Sequence, residues 1–418
     1  MSTSTLIIPP LTVRNWEKKM DKQLIKQSVW AQLSNRMVQT AAIPNGGEQK
    51  IPDSVVHYVS GKFTPGVQSV TIPSMDKLTK KGKGGLQSVE GSEEKPKLRY
   101  MQAFYNVQRK GLTIKDESVE GDLVNAYPIL QSKVDLLTDY FMELEDYNKQ
   151  RAICQGVDEY LSEADYWTGD SMPTPPASVA THPYVYVRGG TALPAWSATD
   201  ATYVGNIRTL VNNAGIAAQV FNKDTLDKMV TMASRNVKPL NWKSGSNTVK
   251  WVFKISELQA EQLTTTTTGE SFNALFREAG GRGVDNRAIT GIIGIYKGAL
   301  VITDERAPLF NSLASVDSKL AFQYIKPWGD ERIPVAKTAT DGTMEVAQVL
   351  GRGAMGCAII KKLSFNKQGK DYDFSTGFEA RRSTGDTRMD FLNPSDLAAK
   401  PMNWSSALYM TPTTTGAY

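Results

Sequence analysis

The segment "MDKLTKKGKGGLQSVEGSEEKPK", Met75 to Lys97, decides how the rest of the chain is read. Lys77, Lys80, Lys81 and Lys83 come first, a Gly-Gly pair follows, and Glu90, Glu93 and Glu94 close it, so one limb is basic and the other acidic. The flanks "FTPGVQSVTIPSM" and "LRYMQAFYNVQRKGLTIKD" carry β-branched and aromatic residues, which predict strands on both sides. The pattern is a two-stranded finger with few apolar residues to bury against its own chain. Such a finger calls for a partner surface.

Outward from the finger, the strongest helical signal is "LVNAYPILQSKVDLLTDYFMELEDYNKQRAICQGVDEYL". Leu123, Tyr127, Leu130, Val134, Leu137, Phe141 and Leu144 recur at spacings of four and three and fall on one stripe. Pro128 belongs in the first turn or at a break, because an interior proline removes a hydrogen bond and clashes with the preceding turn. From Pro128 to Leu161 a continuous helix spans about 50 Å at 1.5 Å per residue, a spine for a thin, extended molecule. The carboxylates of "MELEDYNK" and "VDEYLSEAD" read as its solvated face.

On the N-terminal side, residues 1–60 alternate short pieces with Pro and Gly breaks. The exception is the amphipathic "WEKKMDKQLIKQSVWAQLSN", whose Trp16, Met20, Leu24, Val29 and Leu33 share a face. This reads as an arm that lies on something else. On the C-terminal side, "GDSMPTPPASVATHPYVYVRGGTALPAW" reads as a loop or small insertion. The pattern then becomes mixed α/β. Asp224 is the expected N-cap of "TLDKMVTMASRN", with Asp227 in a capping-box position, and Ser256 the expected cap of "ELQAEQL". "NTVKWVFKIS" predicts a strand, "TTTTTGE" a low-complexity loop, and "AITGIIGIYKGALVITDER" two β segments broken at Lys297-Gly298. "MEVAQVLGRGAMGCAIIKKLSF" and "KDYDFSTGFEARRSTGDTRMDFL" form a strand-rich return.

Composition narrows the function classes. The 418 residues suffice for a large core, and 40% hydrophobic and 22% charged residues are ordinary globular values. No run approaches the roughly 18 apolar residues of a spanning helix, and the start lacks a secretory signal pattern, which predicts a soluble, non-secreted setting. Cys154 and Cys357 are isolated, which argues against a disulfide framework or a thiolate metal site. A net charge of +5 with scattered basic residues does not indicate a dedicated nucleic-acid reader. Catalytic signals are sparse. Gly351 to Gly356, "GRGAMG", has the GxGxxG spelling, but the β-branched "CAIIKK" that follows does not predict the phosphate-facing helix; close backbone packing is the preferred reading. His57 and His182, the two histidines, have no metal-ligand or catalytic neighbours in sequence and read as structural or surface residues. "YVYVRGG" and "WVFK" set aromatics beside basic residues; strand alternation favours aromatics facing a core with polar partners outward over a single-strand nucleic-acid grip. No catalytic, cofactor-binding or metal-ligating residue is assigned.

Arm, finger, spine and mixed domain, in this order, resemble the major capsid protein of tailed double-stranded DNA bacteriophages, the Hong Kong 97-like fold. The resemblance covers the layout of the whole chain. It is concentrated in "SVTIPSMDKL" through "EGSEE" with "YNVQRKGLTIKD", in "ILQSKVDLLTDYFMELEDYNKQRAICQGV", and in "AITGIIGIYKGALVITDERAP" with "VAQVLGRGAMGCAI". It implies an α+β fold divided into an N-terminal arm (1–60), an extended β-loop with flanking strands (61–118), a peripheral domain with spine helix and Pro-rich insertion (119–200), an axial domain (201–345), and an axial exit with return strands (346–418). It implies a shell subunit: self-assembly as hexamers and pentamers around double-stranded DNA, no enzymatic activity, no cofactor, and a place in the virion capsid after assembly in the host bacterial cytoplasm. Implied partners are other copies of the chain, a portal, auxiliary capsid proteins, and non-specific contact with packaged DNA. No long charge-rich helical segment precedes the arm, so a separate scaffolding protein is expected. Lys77, Lys80, Lys81, Lys83, Glu90, Glu93 and Glu94 would then contact a neighbouring subunit. A tail or decoration component and a nucleotide-binding enzyme using Gly351 to Gly356 remain as alternatives.

Overall fold

The structure, a computed structural model, describes residues 30, 33, 54–60, 69–75, 83–84, 90, 93, 98–115, 126–158, 182–188, 194–197, 200–211, 221–244, 247–265, 292–311, 322–328, 343–370, 375–391, 400–403 and 405–412. In chain order these form β1 (Val56–Ser60), β2 (Ser69–Met75), β3 (Leu98–Phe104), β4 (Asn106–Lys115), α1 (Ala126–Gln155) and β5 (Val185–Val187). Next come α2 (Asp200–Val211), α3 (Lys223–Asn236), β6 (Trp242–Ser244), β7 (Asn247–Val249), β8 (Trp251–Ser256) and α4 (Glu257–Thr265). They are followed by β9 (Ile292–Tyr296), β10 (Ala299–Asp304), β11 (Leu309–Asn311), β12 (Phe322–Gln323), β13 (Thr343–Leu350), β14 (Met355–Lys370), β15 (Ser375–Arg388) and β16 (Ser406–Pro412).

Two sheets carry the architecture. A four-stranded peripheral sheet runs β1-β14-β15-β4, built on the long antiparallel β14–β15 hairpin. A larger mixed sheet orders β12-β11-β13-β8-β10-β9, with β16 on β13 and β5 on β16. The fold is α+β.

The 30 residues of α1 extend about 45 Å. Pro128 lies in the first turn, where its missing N–H costs no intrahelical bond. The helix stops at Gln155 rather than Leu161 because Gly156 takes the left-handed conformation, φ 91°, and its N–H closes on Ala152 O at 2.8 Å. Val157 then bridges Thr387, and the Asp158 N–H reaches Asp386 O at 3.1 Å, so the chain leaves the helix directly onto β15. Leu137, Phe141 and Leu144 are buried in the main core as the stripe predicts; the side chains of Leu123, Tyr127, Leu130 and Val134 lie outside the described residues.

Three local expectations change. The N-cap of α3 is Asn222, not Asp224: Asn222 is extended, its Oδ1 accepts from Thr225 N–H at 3.1 Å, and Thr225 Oγ1 accepts from Asn222 N–H at 3.3 Å. Asp227 instead accepts from Tyr296 Oη (2.7 Å) and Lys297 Nζ (2.6 Å) across the β9–β10 hairpin. The "WVFK" aromatics do not alternate with outward polar groups; every residue of β8 is buried because helices and core cover both faces of the large sheet. Lys254 is tolerated there because Asp304 Oδ2 lies 2.7 Å from its Nζ, which also sits 4.3 Å from the Trp30 ring centroid. Glu145 and Lys149 of "MELEDYNK" are not on a solvated face but packed under the peripheral sheet.

Other expectations hold. Ser256 caps α4 reciprocally with Gln259, at 3.2 and 3.0 Å. Lys297 (φ 46°) and Gly298 (φ 81°) form the two-residue turn between β9 and β10. Gly351 lets two backbones meet: a Cβ there would overlap the Lys238 carbonyl and sit 2.6 Å from Val237 Cγ1. The following residues form β14, not a helix start. The arm expectation is met only in part: Trp30 and Leu33, the two residues of that segment described, are helical and buried in this chain's own main core, and Trp30 is not among the residues of the expected face. Trp16, Met20, Leu24 and Val29 lie outside the described residues.

Candidate assembly surface

The base of the finger packs on its own chain. β2 and β3 pair antiparallel without a bulge, from Ser69↔Phe104 to Met75↔Leu98, as a two-stranded sheet separate from the others. Ile72 on one strand and Met101 and Ala103 on the other bury against Ala358, Met389 and Phe391. Two glycines make room for this crossing. A Cβ on Gly385 would overlap the Phe104 carbonyl and lie 2.8 Å from Tyr105 Cα, and one on Gly356 would lie 3.2 Å from both Met101 Cε and Met389 Sδ. The root is thus an intramolecular contact.

Beyond Met75 and Leu98 the described residues Lys83, Gly84, Glu90 and Glu93 are all exposed. The space around Gly84 is open to at least 4 Å. Lys77, Lys80, Lys81 and Glu94 lie outside the described residues.

Beneath the root, α1 crosses the opposite face of the peripheral sheet on a seam that is apolar at one end and ionic at the other. The row Leu137, Phe141, Glu145, Lys149 has a spacing of four and points at the sheet. Glu145 pairs with Lys149 one turn on and with Arg382 Nη1 at 3.3 Å; Arg382 Nε donates to Gln108 Oε1 at 2.6 Å, and its guanidinium carbon lies 5.5 Å from the Phe141 ring centroid. Burial would raise the Glu145 carboxyl, but Lys149 and Arg382 outweigh it and hold it below its ordinary range. Burial likewise would lower Lys149, but Glu145 first and then Tyr58, Asp386 and Cys357 together outweigh it and hold the amine well above its ordinary value, so this pair stays charged. Asp386, facing Lys149 from β15, is raised by burial. At the helix end Arg388 Nη1 donates to the carbonyls of Ile153 (2.9 Å) and Cys154 (3.1 Å), placing a cation where the helix dipole is negative. The spacing Phe141–Glu145–Lys149 was the signal that could have found these charges, since it continues the apolar row.

The other singled-out residues are packed inside. Cys154 and Cys357 are buried free thiols, and burial pushes Cys154 up to about 12. His57 and His182 are buried, not at the surface. Arg188 of "YVYVRGG" is buried, its N–H donating to Met410 O at 2.8 Å. Among the described residues no group of three or more His, Cys, Asp or Glu is placed to hold a metal ion, and no described helix is long and apolar enough to cross a membrane.

No family model matches the sequence, and no curated protein does. Solved structures do match over nearly the full length. The capsid protein of Ralstonia phage GP4 aligns with a TM-score of 0.56 at 15% identity, covering 88% of this chain and 89% of that one. The capsid protein of cyanophage Pam1 aligns with a TM-score of 0.56 at 16% identity over 87% and 90%. This is the Hong Kong 97-like capsid fold. A head protein of Helicobacter pylori bacteriophage KHP40 shares it with a TM-score of 0.52 at 14% identity over 86% and 87%. In this fold β2–β3 is the extended β-loop, α1 the spine helix, and the β1-β14-β15-β4 sheet the peripheral sheet.

Proposed function

We propose that the chain is the major capsid protein of a tailed double-stranded DNA phage, which self-assembles into the icosahedral shell around the genome. The observation that carries this is a Hong Kong 97-like fold shared almost end to end with phage capsid proteins, together with a finger whose described distal residues are all exposed. In this reading residues 1–60 are the arm, 61–118 the loop and its strands, 119–200 the peripheral domain, 201–345 the axial domain and 346–418 the returning strands. The role is structural and not enzymatic. Partners are other copies of the chain, a separate scaffolding protein, a portal, and packaged DNA held without sequence preference, and the protein resides in the virion capsid after assembly in the host cytoplasm.

The distal finger, with Lys77, Lys80, Lys81, Lys83, Glu90, Glu93 and Glu94, then lies on a neighbouring subunit, where basic and acidic limbs meet complementary charges. Single contacts of this kind are weak, and a shell makes many at once. The test is particle size. Sedimentation and electron microscopy of the protein produced together with its scaffolding partner, as in a phage lysate, should show large closed shells, and deleting residues 80–93 should leave a folded subunit that forms none. Small oligomers from the intact chain under those conditions would exclude a shell protein; normal shells from the deletion would exclude the finger's role.

A further inference from the structure

His182, which a shell role leaves unused, sits in a continuous chain of hydrogen bonds through five buried side chains. At one end Arg388 holds the last carbonyls of α1 and donates from Nε to Asp390 Oδ2 at 2.7 Å. Asp390 Oδ1 accepts from Asn403 Nδ2 at 2.8 Å, and that amide lies 2.9 Å from Ser406 Oγ. Ser406 Oγ is 3.0 Å from His182 Nε2, and His182 Nδ1 accepts from the Tyr184 N–H at 3.0 Å. A ring nitrogen that accepts carries no proton, so His182 is neutral and donates from Nε2 to Ser406. The chain joins the end of α1, the end of β15, the start of β16 and the residues leading into β5. That last strand has three residues, and among the described strands it pairs with β16 alone; Leu408 N–H donates to Tyr184 O at 3.0 Å just ahead of it.

We propose that this chain is an acid-operated latch, in which a proton added at His182 Nδ1 breaks the bond from Tyr184 N–H and frees β5 from β16. The proton turns an acceptor into a donor aimed at another N–H. The surroundings do not balance the added charge. Arg388 and Asp390 face the ring from the end of β15, already paired with each other at 2.6 Å. Lys400 approaches from the segment before β16, its Nζ 4.0 Å from the Tyr184 ring centroid. Tyr203 of α2 donates its hydroxyl to Pro183 O at 3.3 Å and adds no anion. Burial first, then Arg388 and Lys400, hold His182 well below its ordinary value of 6.5. An opened ring takes up a proton near 6.5 and the closed one does not, so the latch holds above that pH and loosens as pH falls below it.

The test is amide hydrogen exchange of Tyr184 and Leu408 in the full chain from about pH 7.5 to about pH 4.5. It needs no assembled shell, so its outcome is independent of the capsid reading. Protection, corrected for intrinsic exchange, should be level above about 6.5. Below that it should fall about tenfold per pH unit, to about a hundredfold loss at the acid end. In His182→Gln, whose amide accepts and donates without titrating, the profile should be flat. The chain has two histidines, so imidazole NMR of the otherwise native protein, assigned with His57→Gln, gives a second readout should H182Q fail to fold. Undiminished protection in the acid range, the same fall in H182Q, or a His182 that protonates near 6.5 while Tyr184 stays protected would each overturn the latch.

Discussion

At the scale of single residues the decisive positions are those where a side chain, or its absence, fixes how two elements meet. Gly385→Ala puts a methyl group onto the Phe104 carbonyl at the finger's root. Backbone on both sides leaves little room to relax, so the expected cost is about 1–3 kcal/mol, read as a lower midpoint in urea unfolding. The ionic seam gives a second test. Glu145→Leu leaves Lys149 and Arg382 buried without their shared partner and should cost about 3–5 kcal/mol, while adding Lys149→Leu should recover part of the loss. Glu345 on β13 supplies a pH test: burial pushes its carboxyl up to about 7 despite a hydrogen bond from Ser256. The folded state holds this proton over a range where the unfolded chain has lost it, so stability should fall as pH rises from about 4.5 to about 7, by on the order of 3 kcal/mol. Glu345→Gln should remove that slope from a series of unfolding curves; an unchanged slope would place the titration elsewhere.

At the scale of elements, α1 depends on its stripe more than on helix propensity, since a long helix gains most of its stability from the face it buries. Phe141 is fully buried and touches both the apolar and the ionic parts of the seam, so Phe141→Ala should cost about 3–5 kcal/mol and yield poorly soluble subunit. Retention of native thermal stability would mean the stripe is not a core contact. The start of this helix was legible because Pro128 fits a first turn or a break and not a helix interior, and the structure places it in the first turn. Its end was written in Gly156, but a single glycine at a helix end gains that meaning only when the chain beyond it has a strand to join, here β15 through Val157 and Asp158. The cap of α3 was misplaced by two residues for a related reason: Asn222 and Asp224 are both good capping side chains, and backbone conformation, extended at Asn222, selects between them.

At the scale of the whole molecule, the structure leaves a finger anchored at its root and exposed in its described distal residues, which suits the shell subunit proposed above, whose remaining contacts would lie on other copies of itself. If charge complementarity guides those contacts, assembly of purified subunits should slow and weaken as salt rises, measurable by light scattering at two ionic strengths; salt-independent assembly would assign the finger's hold to apolar contacts. The sequence by itself determined the order of arm, finger, spine and mixed domain, the buried row of Leu137, Phe141 and Leu144, the Lys297-Gly298 turn and the packing role of Gly351, because periodicity and turn chemistry are local properties. It also marked the finger, because charge and glycine content show directly what a segment cannot bury. Only the tertiary structure decided that Glu145 and Lys149 lie under a sheet, that β8 is covered on both faces, that the finger's root packs on Ala358 and Phe391, and that His182 joins Arg388 through three intervening side chains. Each of these pairs residues far apart in the chain, and a buried charge reads like a surface one until its partner, drawn from another element, is known.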